Sequence, residues 1–140
     1  YYDDLVGDKY IFYAPNAGHG PMASFSGLVT AFAPFYLHCT GQIRLPELSW
    51  QINTTGEALE LTVTGQPVPD KVDFWIAHSP SRDFRPAEWR KIEGTRTGVN
   101  YVYTLSKPDS GWSAIFAEAH YSLLGYSYSL CTQVSLISAE

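Results

Sequence analysis

Four histidines and fourteen acidic side chains are the groups in this chain best suited to moving protons or holding a metal. His19 stands out among them. It lies in "PNAGHG" (15–20), between two glycines, after a short aromatic run and before a long apolar one. A general base must project from a strand end into a cleft, and flanking glycines let the backbone turn tightly with no Cβ in the way. Such an imidazole also needs a nucleophile on one side and a carboxylate on the other to fix its tautomer. No G-x-S-x-G nucleophile elbow occurs anywhere in the 140 residues. Asp3, Asp4 and Asp8 precede His19 and read as solvated turn residues. By itself the chain does not complete a catalytic triad.

The remaining candidates are weaker by pattern. His38, His78 and His120 have no partner at metal-ligand spacing such as H-x-x-x-H, so each reads as structural. No metal or other cofactor is expected. Cys39 and Cys131 lie far apart and do not form C-x-x-C. Three fates are open to them: a bridge with each other, a bridge with an upstream cysteine, or service as small hydrophobes. Asn53-Thr54-Thr55 is an N-x-T sequon, a glycosylation site in a secreted eukaryotic protein. Trp50, Trp75, Trp89 and Trp112 read as core or sheet-end fillers before they read as a ligand groove.

The elements that must position these residues change character near "IRLPELSW" (43–50). Before it, "KYIFYA" (9–14) has the composition of a buried strand, "PNAGHG" is turn chemistry, and apolar residues from about Ser24 to Cys39 recur at helical spacing. Pro34 should bend that helix. After it, "LSWQINTTG", "ALELTVTG", "KVDFWIAHS", "VNYVYTLS", "GWSAIFAEAHYS" and "YSLCTQVSLIS" alternate apolar with polar residues and are separated by turn formers. Leu59, Leu61 and Val63 should share a core face, as should Val72, Phe74 and Ile76, with Trp75 opposite. Strands at this spacing predict a two-sheet sandwich of immunoglobulin or fibronectin type. The insert "SRDFRPAEWRKIEG" reads as a structured loop.

Composition narrows the function classes. The chain is 45% hydrophobic and 16% charged, as a folded domain is, and its net charge of −5 with no Lys/Arg cluster excludes a nucleic-acid partner. The apolar run 28–39 is too short to span a bilayer and reads as a buried helix. The N-terminus carries no targeting segment, so the sequence is expected to begin inside a longer protein. The sequon, the low lysine content and 15% aromatic residues lean toward a secreted, extracellular protein.

With those readings in place, "DDLVGDKYIFYAPNAGHG", "ELSW", "DFWIAHSPSRDFR" and "GWSAIFAEAHY", in that order, resemble the C-terminal part of the PhoPQ-activated pathogenicity-related protein family. The secreted proliferation repressors of social amoebae are related to that family. The resemblance implies an α/β-hydrolase fold followed by a β-sandwich, with His19 as the triad base and the nucleophile and acid upstream of Tyr1. The expected organisation is therefore α/β plus all-β. Residues 1–46 would be the last strand, histidine loop and helix of a hydrolase-like part, and residues 47–140 the β-sandwich. Two functions follow from the resemblance: a serine ester or peptide hydrolase of aminopeptidase type, or a non-catalytic signalling protein whose sandwich engages a receptor or glycan. The partners expected are the upstream part of the same protein and either a peptide substrate or a receptor.

Overall fold

From Glu47 onward the alternating segments become antiparallel strands and the Gly, Pro, Asn and Asp clusters between them become turns. The computed structural model describes residues 2–18, 25–123 and 125–140, so His19 falls outside the described residues. The strands are β1 (Glu47–Thr54), β2 (Ala58–Gln66), β3 (Lys71–Ser79), β4 (Arg90–Glu93), β5 (Thr95–Thr97), β6 (Asn100–Ser106), β7 (Trp112–Leu123), β8 (Tyr126–Cys131) and β9 (Ser135–Ser138), preceded by α1 (Phe25–Cys39). They form two antiparallel sheets, ordered β1-β2-β6-β5 and β4-β3-β7-β8, with β9 pairing the start of β7 on the same edge as β8.

Residue alternation sets what each sheet buries. Leu59, Leu61 and Val63 of β2 face Val72, Phe74 and Ile76 of β3 and Ile115, Ala117 and Ala119 of β7 in one apolar cluster. Across that core the Phe74 and Tyr103 rings lie 5.4 Å apart. Trp75 points to the opposite face, as its place in the alternation requires. The reading 128–138 as one strand is corrected to two. Thr132 interrupts it, its hydroxyl accepting the Ala117 amide at 3.0 Å and its own amide donating to the Ala117 carbonyl at 2.9 Å. The insert 81–94 ends in a strand, β4, that its charged sequence concealed.

Residues 9–14 differ from the sequence expectation. No strand forms over 9–14; Ile11 alone makes an antiparallel bridge to Cys131, whose amide donates to the Ile11 carbonyl at 3.0 Å. The aromatic residues of this segment are satisfied by packing instead of by a ladder. Tyr13 lies 4.8 Å from the Phe116 ring, on the face of the five-stranded sheet that points away from the core. That face is consequently buried too: Phe116 is 2% exposed, and Ala114 and Cys131 are buried beside it. This explains why "SAIFAEA" in β7 reads as a nearly continuous buried run.

Helix α1 follows the helical spacing and stops where its sequence says it should. Gly41 takes φ +73°, its amide donates to the His38 carbonyl at 2.9 Å, and the Gln42 amide donates to the Leu37 carbonyl at 2.9 Å. This is the double hydrogen bond that closes helices on a left-handed glycine. The expectation of a buried helix is corrected. Pro34 is buried, but Leu28, Val29, Phe32, Phe35 and Tyr36 form an exposed apolar face, with Phe32 62% exposed.

Candidate functional site

The histidine loop is described as far as Gly18, and its fastening is the clearest feature of the region. Asn16 sits at φ +60°. Its Nδ2 donates to the Trp89 carbonyl at 2.8 Å, and the Trp89 amide donates to Asn16 Oδ1 at 2.8 Å. A side-chain amide thus pairs with a backbone amide 73 positions away, much as one strand residue pairs with another. The Trp89 ring meets Phe116 edge-on at 5.2 Å and Phe84 at 6.1 Å. Between the loop and residues 84–89 lies an open cleft of about 510 Å³, walled by Tyr13, Phe84, Trp89 and Phe116 with Arg85 also on its lining.

The "SRDFR" run, Ser81–Arg85, builds the far wall through local bonds. Ser79 Oγ donates to the Asp83 carbonyl at 2.7 Å, and the Asp83 amide donates to Ser81 Oγ at 3.2 Å. Arg85 grips Asp83 twice, Nε to Oδ1 at 2.9 Å and Nη2 to Oδ2 at 2.6 Å. That side-chain grip, with the Arg85 backbone amide, holds the Asp83 carboxyl down to about 2. Arg82 lies 5.0 Å above the Trp112 ring. The run is a self-bonded turn that presents Phe84.

A second cluster lies on the same outer sheet face, beneath Gly27, Thr30 and Ala31 of α1. Asp73, Glu118 and His120 place ligand-capable atoms within 4.8 Å of one another. By residue type they could hold a metal ion. However, Lys71 Nζ stands 3.1 Å and Lys91 Nζ 3.5 Å from Asp73, and His120 Nε2 is 3.0 Å away. Trp75 Nε1 and Ser129 Oγ donate to the two Glu118 oxygens, each at 2.8 Å. A cation would have to displace two ammonium groups and two hydrogen bonds, so the arrangement works as an ion-pair network.

His38 also has a carboxylate partner. The Leu45 amide donates to Nδ1 at 3.3 Å, which leaves Nε2 to carry the proton and donate to Asp8 Oδ2 at 3.0 Å. This pair ties the N-terminal segment to the end of α1. His78 is exposed on β3. Among the described residues, no serine or cysteine bonds to a histidine. Asn53 is exposed on the edge strand β1. Both cysteines are free: Cys39 is exposed, and Cys131 is buried, which pushes its thiol up to about 12.

Sequence reasoning missed Asn16, Asp73 and Glu118 as members of any site, and ranked Trp89 as a core filler ahead of a ligand groove. Asn in a turn signals only a tolerance for left-handed backbone. Nothing local announces a partner 73 residues on.

A profile of the PhoPQ-activated pathogenicity-related protein family matches residues 1–85. The chain belongs to that family. The matched span of this PhoPQ-activated pathogenicity-related family member holds the histidine loop, α1, the first three strands and the "SRDFR" turn, and stops short of Trp89. The chain is 34% identical to autocrine proliferation repressor protein A of Dictyostelium discoideum, across 81% of this chain and 27% of that relative. The chain therefore spans about a quarter of the length of that relative. Among solved structures, the Br derivative of BhCBM56 superposes on 69% of this chain and 96% of its own at a TM-score of 0.46 and 15% identity.

Proposed function

We propose that this family member is the C-terminal segment of a secreted signalling protein of the proliferation-repressor type, whose β-sandwich engages a receptor or glycan. The observation that carries this reading is the 34% identity to a protein named as an autocrine proliferation repressor. The geometry supports it in two ways. The outer face of the four-stranded sheet is polar and uncovered, with Ser49, Gln51 and Thr104 exposed beside Glu60, Thr62 and Thr64. The apolar face of α1 fits an upstream part of the same polypeptide, to which residues 1–46 would belong as the end of a hydrolase-like fold.

A second reading has its own observation, the cleft that the histidine loop shares with residues 84–89. Its volume of about 510 Å³ lies in the range of small-molecule sites. In this reading the complete protein is a serine hydrolase of aminopeptidase or esterase type. His19 would take the proton from an upstream serine as it attacks the acyl carbon, then give it to the leaving group.

One pair of measurements separates the two. The complete protein should slow division of the cells that secrete it, and His19→Ala should retain that effect. Hydrolysis of aminoacyl or aryl esters by the complete protein, abolished together with growth repression by His19→Ala, would transfer the assignment to the second reading.

A further inference from the structure

Resting on the reading of the sandwich as the receptor-engaging part, we propose that the free edge of β1 binds an extended, basic-ended segment of that receptor as an added strand. The register shows which groups are on offer. The Thr55 amide donates to the Ala58 carbonyl at 2.8 Å, closing the β1–β2 hairpin. Antiparallel pairs alternate between bonded and non-bonded. Counting back in twos from Thr55 therefore gives Asn53, Gln51 and Ser49 the bonds to β2. Leu48, Trp50, Ile52 and Thr54 turn their N–H and C=O groups to the open edge, and among the described residues nothing bonds them there.

Native proteins blunt such edges by shortness, charge or proline. β5 and β4 follow that rule: they are three and four residues long and carry Arg96, and Arg90, Lys91 and Glu93. β8 receives the Ile11 bridge at Cys131. β1 instead has eight residues in unbroken register with β2, and no lysine, arginine, proline or glycine. Its core-side row is also unfinished. Leu48 and Trp50 pack partly on the core, whereas Ile52, opposite buried Leu61 on the same side, is 44% exposed. An apolar side chain on an added strand would cover it. Charge selects the occupant. Glu57 at the hairpin turn and Glu60, opposite Asn53, make no ion pair among the described residues. A second copy would bring its own net charge of −5, and Arg44, just before β1, is already bonded to Glu47 at 3.2 Å. A partner segment with apolar residues at alternate positions and a basic end fits both the row and the charge.

The probe is a lysine-ended synthetic peptide of alternating valine and threonine, palindromic and about as long as β1, added to the complete protein. Binding should slow amide exchange at Trp50, Ile52 and Thr54 by about tenfold and leave Ser49, Gln51 and Asn53 unchanged. Ile52→Pro removes one outward N–H, a change that edge strands tolerate. It should weaken the peptide by about tenfold and abolish growth repression by the complete protein. Glutamate in place of the peptide's lysines should also weaken it. If Ile52→Pro does not fold, Ile52→Lys, which sets a charge in the apolar row, decides by the same criteria. Equal slowing at both sets of positions, or a glutamate-ended peptide that binds as well, would overturn the proposal. So would peptide binding or growth repression undiminished in Ile52→Pro. Protection of Ile52 that rises with protein concentration and needs no peptide would overturn it too, making a second copy the occupant. A protein that takes up the peptide but never represses growth would defeat the signalling reading and leave the β1 site standing. Repression without peptide uptake would do the reverse.

Discussion

Asp73 shows how much the polar residues of one sheet face depend on one another. Its side chain is 2% exposed. Burial pushes its carboxyl up, but the Lys71 hydrogen bond and the charges of His120 and Lys91 outweigh burial and hold it below the ordinary carboxylate range. A group whose folded value lies below its unfolded value stabilises the fold above the unfolded value, about 3.9 for Asp. That stabilisation fades as pH falls through the lower, folded value. Asp73→Ala should cost about 2–3 kcal/mol in urea unfolding at pH 7, less than the ~3–5 of a fully buried pair because both lysines reach water. The deficit should shrink below about pH 4, and a deficit that is the same at pH 3 and pH 7 would show that packing, not charge, is what Asp73 contributes. The two cysteines differ as sharply. A thiol reagent should label Cys39 in the folded protein and reach Cys131 only on unfolding, because burial keeps the Cys131 thiol protonated up to about 12.

At the level of elements, α1 carries the largest consequence. Each large apolar side chain left in water forgoes about 1.5–3 kcal/mol of burial, and five of them share one face of the helix. Expressed alone, residues 1–140 should self-associate, and Val29→Ser with Phe32→Ser should return the chain to a monomer by light scattering. A concentrated monomer without those changes would remove the case for a covering partner. The helix and six of the strand segments were legible in the sequence because local rules govern them: helical spacing and alternation between turn formers. The segments that misled did so for a common reason. "KYIFYA" has strand composition, yet it meets the edge of β8 at one bridge only, and "RKIE" and "TRT" are strands whose exposed charges hide any alternation. The candidate site was less legible still. His19 was visible as a motif, but the Asn16–Trp89 clasp and the Asp73 network exist only once distant strands are in register.

For the whole molecule, the decisive feature is that the N-terminal segment makes a third layer over the five-stranded sheet. A polypeptide beginning at Leu45 should keep a strand-rich circular dichroism spectrum but bind a hydrophobic dye, since Phe116 alone would lose about 1.5–3 kcal/mol of burial. A truncated chain as stable as the parent and blind to the dye would show that the layer is incidental. The layer also has an evolutionary corollary. The middle strand β7 is enclosed on both faces, whereas β1 and the outer side of β2 meet water. Mutational tolerance should therefore be lopsided. In a saturation scan read by abundance, polar replacements at Ala114, Ile115, Phe116 and Ala117 should be depleted at every position, odd and even alike. Those at Ser49, Gln51, Thr62 and Thr64 should pass almost unnoticed. Sequence drift within the family would then accumulate on one sheet while the other is held nearly still, leaving the four-stranded face as the ground on which new recognition is free to evolve.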